Sequence, residues 1–129
     1  MTSPPRPTDT ELALLRLLWL LGPSTVRQVH SAWEVDRGTV AYTTVLKLLQ
    51  VMHEKKLVIR DTSTRSHVYT PVYDEGAVQR SLVSDLVGKA FGGSTSELVM
   101  RALSTHRSSP EERRRIRELI DELDEEGEE

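Results

Sequence analysis

The side chains best suited to act on another molecule lie opposite an apolar stripe. Val45, Leu48, Leu49 and Met52 follow the i, i+3, i+4, i+7 spacing of a helix face turned toward a core. At roughly 100° per residue, the opposite side carries Thr43, Lys47, Gln50 and Glu54, with Thr44 alongside. A hydroxyl, an ammonium and an amide near the start of one helix are the groups that read base edges and grip phosphates. The bland alternative is an ordinary solvated face. Tyr42 borders the stripe, either as core or as a hydroxyl for a phosphate. Arg60, Arg65 and His67 place cations around a polar turn, whereas Arg27 and His30 either touch a nucleic-acid backbone or face solvent.

Other chemistries find little to work with. His30, His53, His67 and His106 include no pair at His-x-x-x-His spacing, so no metal is expected. No Gly-x-Ser-x-Gly turn and no glycine-rich phosphate loop is present, and we expect neither an enzyme active site nor a cofactor. Cysteine is absent, which excludes disulfides and suits a reducing cytoplasm. The start, Met1 to Thr10, is proline-rich and lacks the apolar region of a signal peptide. The apolar run Leu12 to Leu21 is about half the length of a membrane span, so we expect a buried core helix and no membrane insertion.

The net charge of −3 hides an asymmetry. Residues 1–72 hold nine lysines and arginines against six acids; residues 73–129 hold eight against fourteen. A polyanionic partner therefore belongs to the front of the chain.

These side chains need a frame. Thr8-Asp9-Thr10-Glu11 has the form of a capping box, and a first helix runs from Asp9 to Leu21, stopped by Gly22-Pro23. Ser24 or Thr25 caps a second helix that reaches about Trp33, followed by a polar connection from Glu34 to Gly38. The third helix spans about Val40 to Lys55. Two short β-type runs, Leu57 to Arg60 and His67 to Thr70, flank the polar stretch Asp61 to Ser66 and predict a hairpin closed by Pro71. Three further helices are expected, over Asp74 to Phe91, Ser94 to Leu103, and onward from Ser109-Pro110, ahead of an acidic, frayed tail from Asp124. The Arg113 to Arg117 cluster has acidic partners at helical spacing and predicts a salt-bridged solvent face.

The expected fold is thus mainly α with a small β-hairpin: a winged helix-turn-helix domain over 1–72 and a helical region with an acidic tail over 73–129. Three amphipathic helices beyond a complete winged helix need something to cover them. A second copy of the chain is the economical answer, through Val78, Leu82, Leu86, Phe91, Leu98, Leu103, Ile116, Leu119, Ile120 and Leu123.

The sequence resembles the penicillinase-repressor family (BlaI/MecI/CopY type). The likeness rests on Thr8-Asp9 through Leu18-Trp19, on Gly22-Pro23-x-Thr25-Val26-Arg27-x-Val29-His30, and on Ala41-Tyr42-Thr43-Thr44-Val45-Leu46. It continues through Leu48-Leu49-Gln50-x-Met52, His67-Val68-Tyr69-x-Pro71 and Phe91-Gly92-Gly93-Ser94. The resemblance implies a cytoplasmic repressor, a homodimer bound to dyad-symmetric, double-stranded operator DNA. In relatives such operators often precede genes for antibiotic resistance or membrane stress. It also implies a regulatory protease linked to a membrane sensor, acting on the dimerisation region. A winged-helix module that binds protein and not specific DNA is the alternative. This chain departs from the pattern in four ways. No cysteine-rich tail is present, and Arg101-Ala102 stands where the staphylococcal type is cut at Asn-Phe. Val51 replaces a common arginine, and Lys56 replaces a common glycine.

Overall fold

The computed structural model describes residues 3–127. Helix α1 (Asp9–Leu21) opens on the capping box: the Thr8 side chain accepts from the Glu11 N–H, and the Thr8 N–H donates to Glu11 Oε1 at 2.8 Å. A two-residue strand β1 (Ser24–Thr25) leads into α2 (Val26–Arg37), which starts on a second capping box between Thr25 and Gln28. Helix α3 (Tyr42–Glu54) follows, then β2 (Val58–Asp61) and β3 (Val68–Pro71). The chain continues as α4 (Glu75–Ala90), α5 (Thr95–Thr105) and α6 (Pro110–Gly127).

The strands form one antiparallel sheet in the order β1-β3-β2. The predicted hairpin forms, with each strand one residue later than expected, so that Pro71 is the last residue of β3 and not its stop. Strand β1 is an addition, since two residues carry no period that a sequence could show. They pair because Ser24 and Thr25 fall opposite Tyr69 and Val68. A second correction concerns α2, which runs on to Arg37 through the stretch expected to be a polar connection. It ends at Gly38, whose φ of 95° only glycine takes easily.

Leu14, Leu15, Leu18, Val29, Val45, Leu49, Met52, Leu57, Val58 and Tyr69 form the core. Of the expected core residues, Leu12, Trp19 and Leu48 are half-buried. Among the described residues, no helix is long and apolar enough to cross a membrane.

The chain divides into two compact units, the first ending at Asp85 and the second beginning at Leu86. The first continues past residue 72 because Trp19 Nε1–H donates to the Tyr73 carbonyl at 3.1 Å and Val78 is only 2% exposed. That burial corrects one expectation: Val78 belongs to its own chain's interior and is not free to meet a second copy. In the second unit, α6 stays helical to Gly127, beyond the point where fraying was expected. Arg114 reaches Glu111 and Glu118 at 3.7 and 3.8 Å on an exposed face.

Two local features carry predictions. Helix α3 ends in a Schellman motif: the Leu57 N–H donates to the Met52 carbonyl at 2.9 Å and the Lys56 N–H to that of His53 at 3.0 Å. Lys56 occupies the left-handed position, φ 65°, that suits glycine. Lys56→Gly should therefore stabilise the fold by about 0.5–1 kcal/mol, because relief of left-handed strain exceeds the added unfolded-state entropy. Thermal denaturation checks this as a rise of several degrees.

The second feature joins the end of α3 to the start of α1. Lys55 Nζ lies 2.6 Å from the capping-box carboxylate of Glu11, which is 3% exposed. Burial is the largest influence on this carboxyl and pushes its pKa up. The Lys55 ammonium and the Thr8 groups together outweigh it and hold the pKa below the ordinary glutamate value. A lowered folded-state pKa contributes stability that is complete above the unfolded value and lost as pH falls through the folded one. Wild type should therefore lose about 1 kcal/mol more than Glu11→Gln on acidification through that window, allowing for the partial exposure of Lys55. Denaturant unfolding of both proteins across the acid range tests it.

Candidate nucleic-acid interface

Helix α3 has two unlike sides. Val45, Leu49 and Met52 are wholly buried, while Thr43, Thr44, Lys47 and Gln50 are exposed. Tyr42, its first residue, is 43% exposed, which excludes the core option for this side chain.

A cleft lies beside this helix within the first unit. It is lined by Thr25 at the end of β1, by Val26 and Arg27 from the start of α2, by Tyr42, Leu46 and Gln50 from α3, and by Arg60, Arg65, Ser66, His67 and Tyr69 from the hairpin. Three arginines, from α2, β2 and the β2–β3 connection, thus line one concavity. None of its lining residues is acidic. None of the three arginines is in an ion pair among the described residues. Thr43, Thr44 and Lys47 are not part of the lining; they occupy the exposed side of α3.

Strand parity explains Arg60. Alternate residues of a strand face opposite sides, and Arg60 is two positions from buried Val58 and directly opposite buried Tyr69. Its side chain therefore starts from the inner face of the sheet. Among the described residues its Nε is buried without a hydrogen-bond partner, a costly condition. Arg65 rides the β2–β3 connection. There Asp61 accepts from the Ser63 N–H at 2.9 Å, and the Ser63 hydrogen bonds hold the Asp61 carboxyl below its ordinary pKa. Thr64 Oγ1 donates to the Ser66 carbonyl at 2.7 Å.

Sequence reasoning named Arg27, Tyr42, Gln50, Arg60, Arg65 and His67 without a reason for all of them to meet. It missed Thr25 and Ser66, which give no signal beyond being small and polar. His30, left between backbone contact and solvent, has a defined intramolecular partner in the Val40 carbonyl, at 2.7 Å.

Three packed helices, the third with an exposed polar face, and a hairpin beside it define a winged-helix fold with a candidate nucleic-acid face. The sequence profile of the penicillinase repressor family matches residues 7–122, and the chain belongs to that family, whose members are transcriptional regulators and not enzymes. Two proteins called transcriptional regulator BlaI, from two strains of Mycobacterium tuberculosis, are each 39% identical over 83 residues. The match covers 64% of this chain and 59% of theirs, so it spans less than two thirds of those relatives. In fold, the chain resembles the DNA-binding domain of the repressor BlaI in solution, with a TM-score of 0.51 and 23% identity. It also resembles the monomeric form of Bacillus licheniformis BlaI in complex with the blaP half-operator, with a TM-score of 0.50 and 23% identity. Each likeness covers 60% of this chain and 93% of the other.

Proposed function

We propose that this chain is a cytoplasmic, homodimeric repressor that recognises a dyad operator in double-stranded DNA. Helix α3 enters the major groove, where Thr43, Thr44, Lys47 and Gln50 meet base edges and neighbouring phosphates. Tyr42, Arg27, Arg60 and Arg65 hold the adjacent backbone. The observation that carries this reading is the cleft beside α3 with no acidic lining residue, lined by three arginines that have no ionic partner among the described residues. A concentration of unpaired cations in a concave wall is the electrostatic footprint of a polyanion.

Dimerisation through the second unit is supported by what that unit lacks. Among its described residues none in α5 or α6 is buried. Leu86, Val99, Leu103, Leu119, Ile120 and Leu123 are 38–55% exposed, and Phe91, Leu98 and Ile116 are half-buried, as is Leu82 on the part of α4 that belongs to the first unit. Helices with apolar stripes and no core of their own complete their burial against a second copy.

Selection from random-sequence duplexes tests the whole reading: a sequence with two-fold symmetry should be enriched, and recovery of no preferred sequence would overturn it. Genes for β-lactam resistance or the cell envelope are the proposed targets, checked by transcript levels after deletion of this gene. Two routes of release fit the architecture, cleavage within α4–α6 by a protease linked to a membrane sensor and occupancy by a ligand. Intact mass after incubation with extract from induced cells separates them.

A further inference from the structure

Helix α3 enters without a side-chain cap. Its N-cap residue is Ala41, which has no oxygen to offer the first amides, whereas α1 and α2 both open on threonine capping boxes. Val45 is the first fully buried residue of α3, so the first turn, with Tyr42, Thr43 and Thr44, has no core anchor of its own. Some other group must hold it.

That group comes from α2. The Nε2 of His30 lies 2.7 Å from the Val40 carbonyl oxygen. A carbonyl can only accept, so Nε2 carries the hydrogen and donates it. The same ring stands edge-on to Tyr42, centroids 5.7 Å apart at 67°, the favourable T-shaped arrangement. Its Nδ1 is 3.7 Å from Glu34 Oε1, one turn further along α2, and the imidazole is 20% exposed. One ring thus touches the chain on both sides of Ala41, at the residue before it and the residue after it. The turn begins at Gly38, a residue with little conformational preference of its own.

We infer that His30 is a positioning residue for DNA recognition, setting the first turn of α3 through Val40 and Tyr42 without touching the nucleic acid. The inference rests on the reading that α3 enters the groove. Base-edge contacts depend on where Thr43 and Thr44 stand, whereas contacts with phosphates tolerate a shifting first turn. Loss of the clasp therefore reduces discrimination between sequences more than it reduces general attraction to DNA.

Two measurements test it. Hydrogen exchange needs no DNA: the amides of Thr44 and Val45 bond the Ala41 carbonyl at 3.0 and 3.3 Å. In His30→Ala they should exchange about five- to tenfold faster, the range of one lost hydrogen bond, while the Leu49 and Met52 amides are unchanged. Affinity for the duplex enriched from the random-sequence pool should fall by a similar five- to tenfold, and affinity for an unselected duplex of the same length by less than about twofold. His30→Gln, whose amide can donate to Val40, should restore most of both. Unchanged exchange at Thr44 overturns the clasp whatever happens with DNA. Equal losses on the enriched and the unselected duplex, or no rescue by glutamine, reduce His30 to a merely structural residue and overturn the inference. Should wild type prefer no sequence at all, the DNA reading itself fails, and the exchange result still decides the clasp.

Discussion

If the chain dimerises as proposed, replacing Leu119 and Ile120 together by aspartate is expected to leave it monomeric and to weaken operator binding by about 10²–10⁴-fold. Both residues lie on the apolar stripe of α6 with Ile116 and Leu123, and both are about half exposed in the single chain. Two carboxylates there must be desolvated if the stripe is covered, at a cost that burial of the remaining apolar residues does not offset. The large effect on DNA follows from linkage. A dimer presents its second α3 at a high effective concentration once the first is bound, and a monomer forfeits that gain without losing any contact of its own. Sedimentation should report the monomer, and gel-shift titration should show unchanged affinity for an isolated half-site. The first unit should melt as in wild type, since neither residue belongs to its core. A variant that remains dimeric, or that binds the full operator as wild type does, would disprove dimerisation through this stripe.

The second large effect is expected at the exposed face of α3. Thr43→Ala combined with Lys47→Ala should lower operator affinity by about a hundredfold or more, since a well-placed base contact discriminates by about 1–3 kcal/mol. Stability should change by less than about 0.5 kcal/mol per site, because both side chains are exposed. The single variants separate the roles. If Lys47 grips a phosphate, its loss weakens binding to all sequences alike and reduces the salt slope by about one; if it reads a base, preference at one position relaxes. Thr43→Ala should leave the salt slope intact. Unchanged operator affinity in the double variant would remove α3 from the groove.

Much of this protein is decided within short windows of its sequence. The spacing of Val45, Leu48, Leu49 and Met52 defines a helix and thereby its opposite face. Thr8-x-x-Glu11 states where α1 begins because both partners of a capping box lie within one turn. Hairpin, element order and the paired charges of α6 follow from equally local rules. What local rules do not contain is the meeting of distant residues. Strand β1 exists only because Tyr69 and Val68 arrive beside Ser24 and Thr25. Val78 is interior only because the first unit closes over it. Arg27, Arg60 and Arg65 read as scattered surface cations until helix packing and strand parity turn them into one cleft. His30 shows the limit most clearly: a histidine on a polar helix face has no fixed meaning until folding places the Val40 carbonyl 2.7 Å from its ring. Periodicity dictates which way each element faces, but only closure of the core decides which faces share a space.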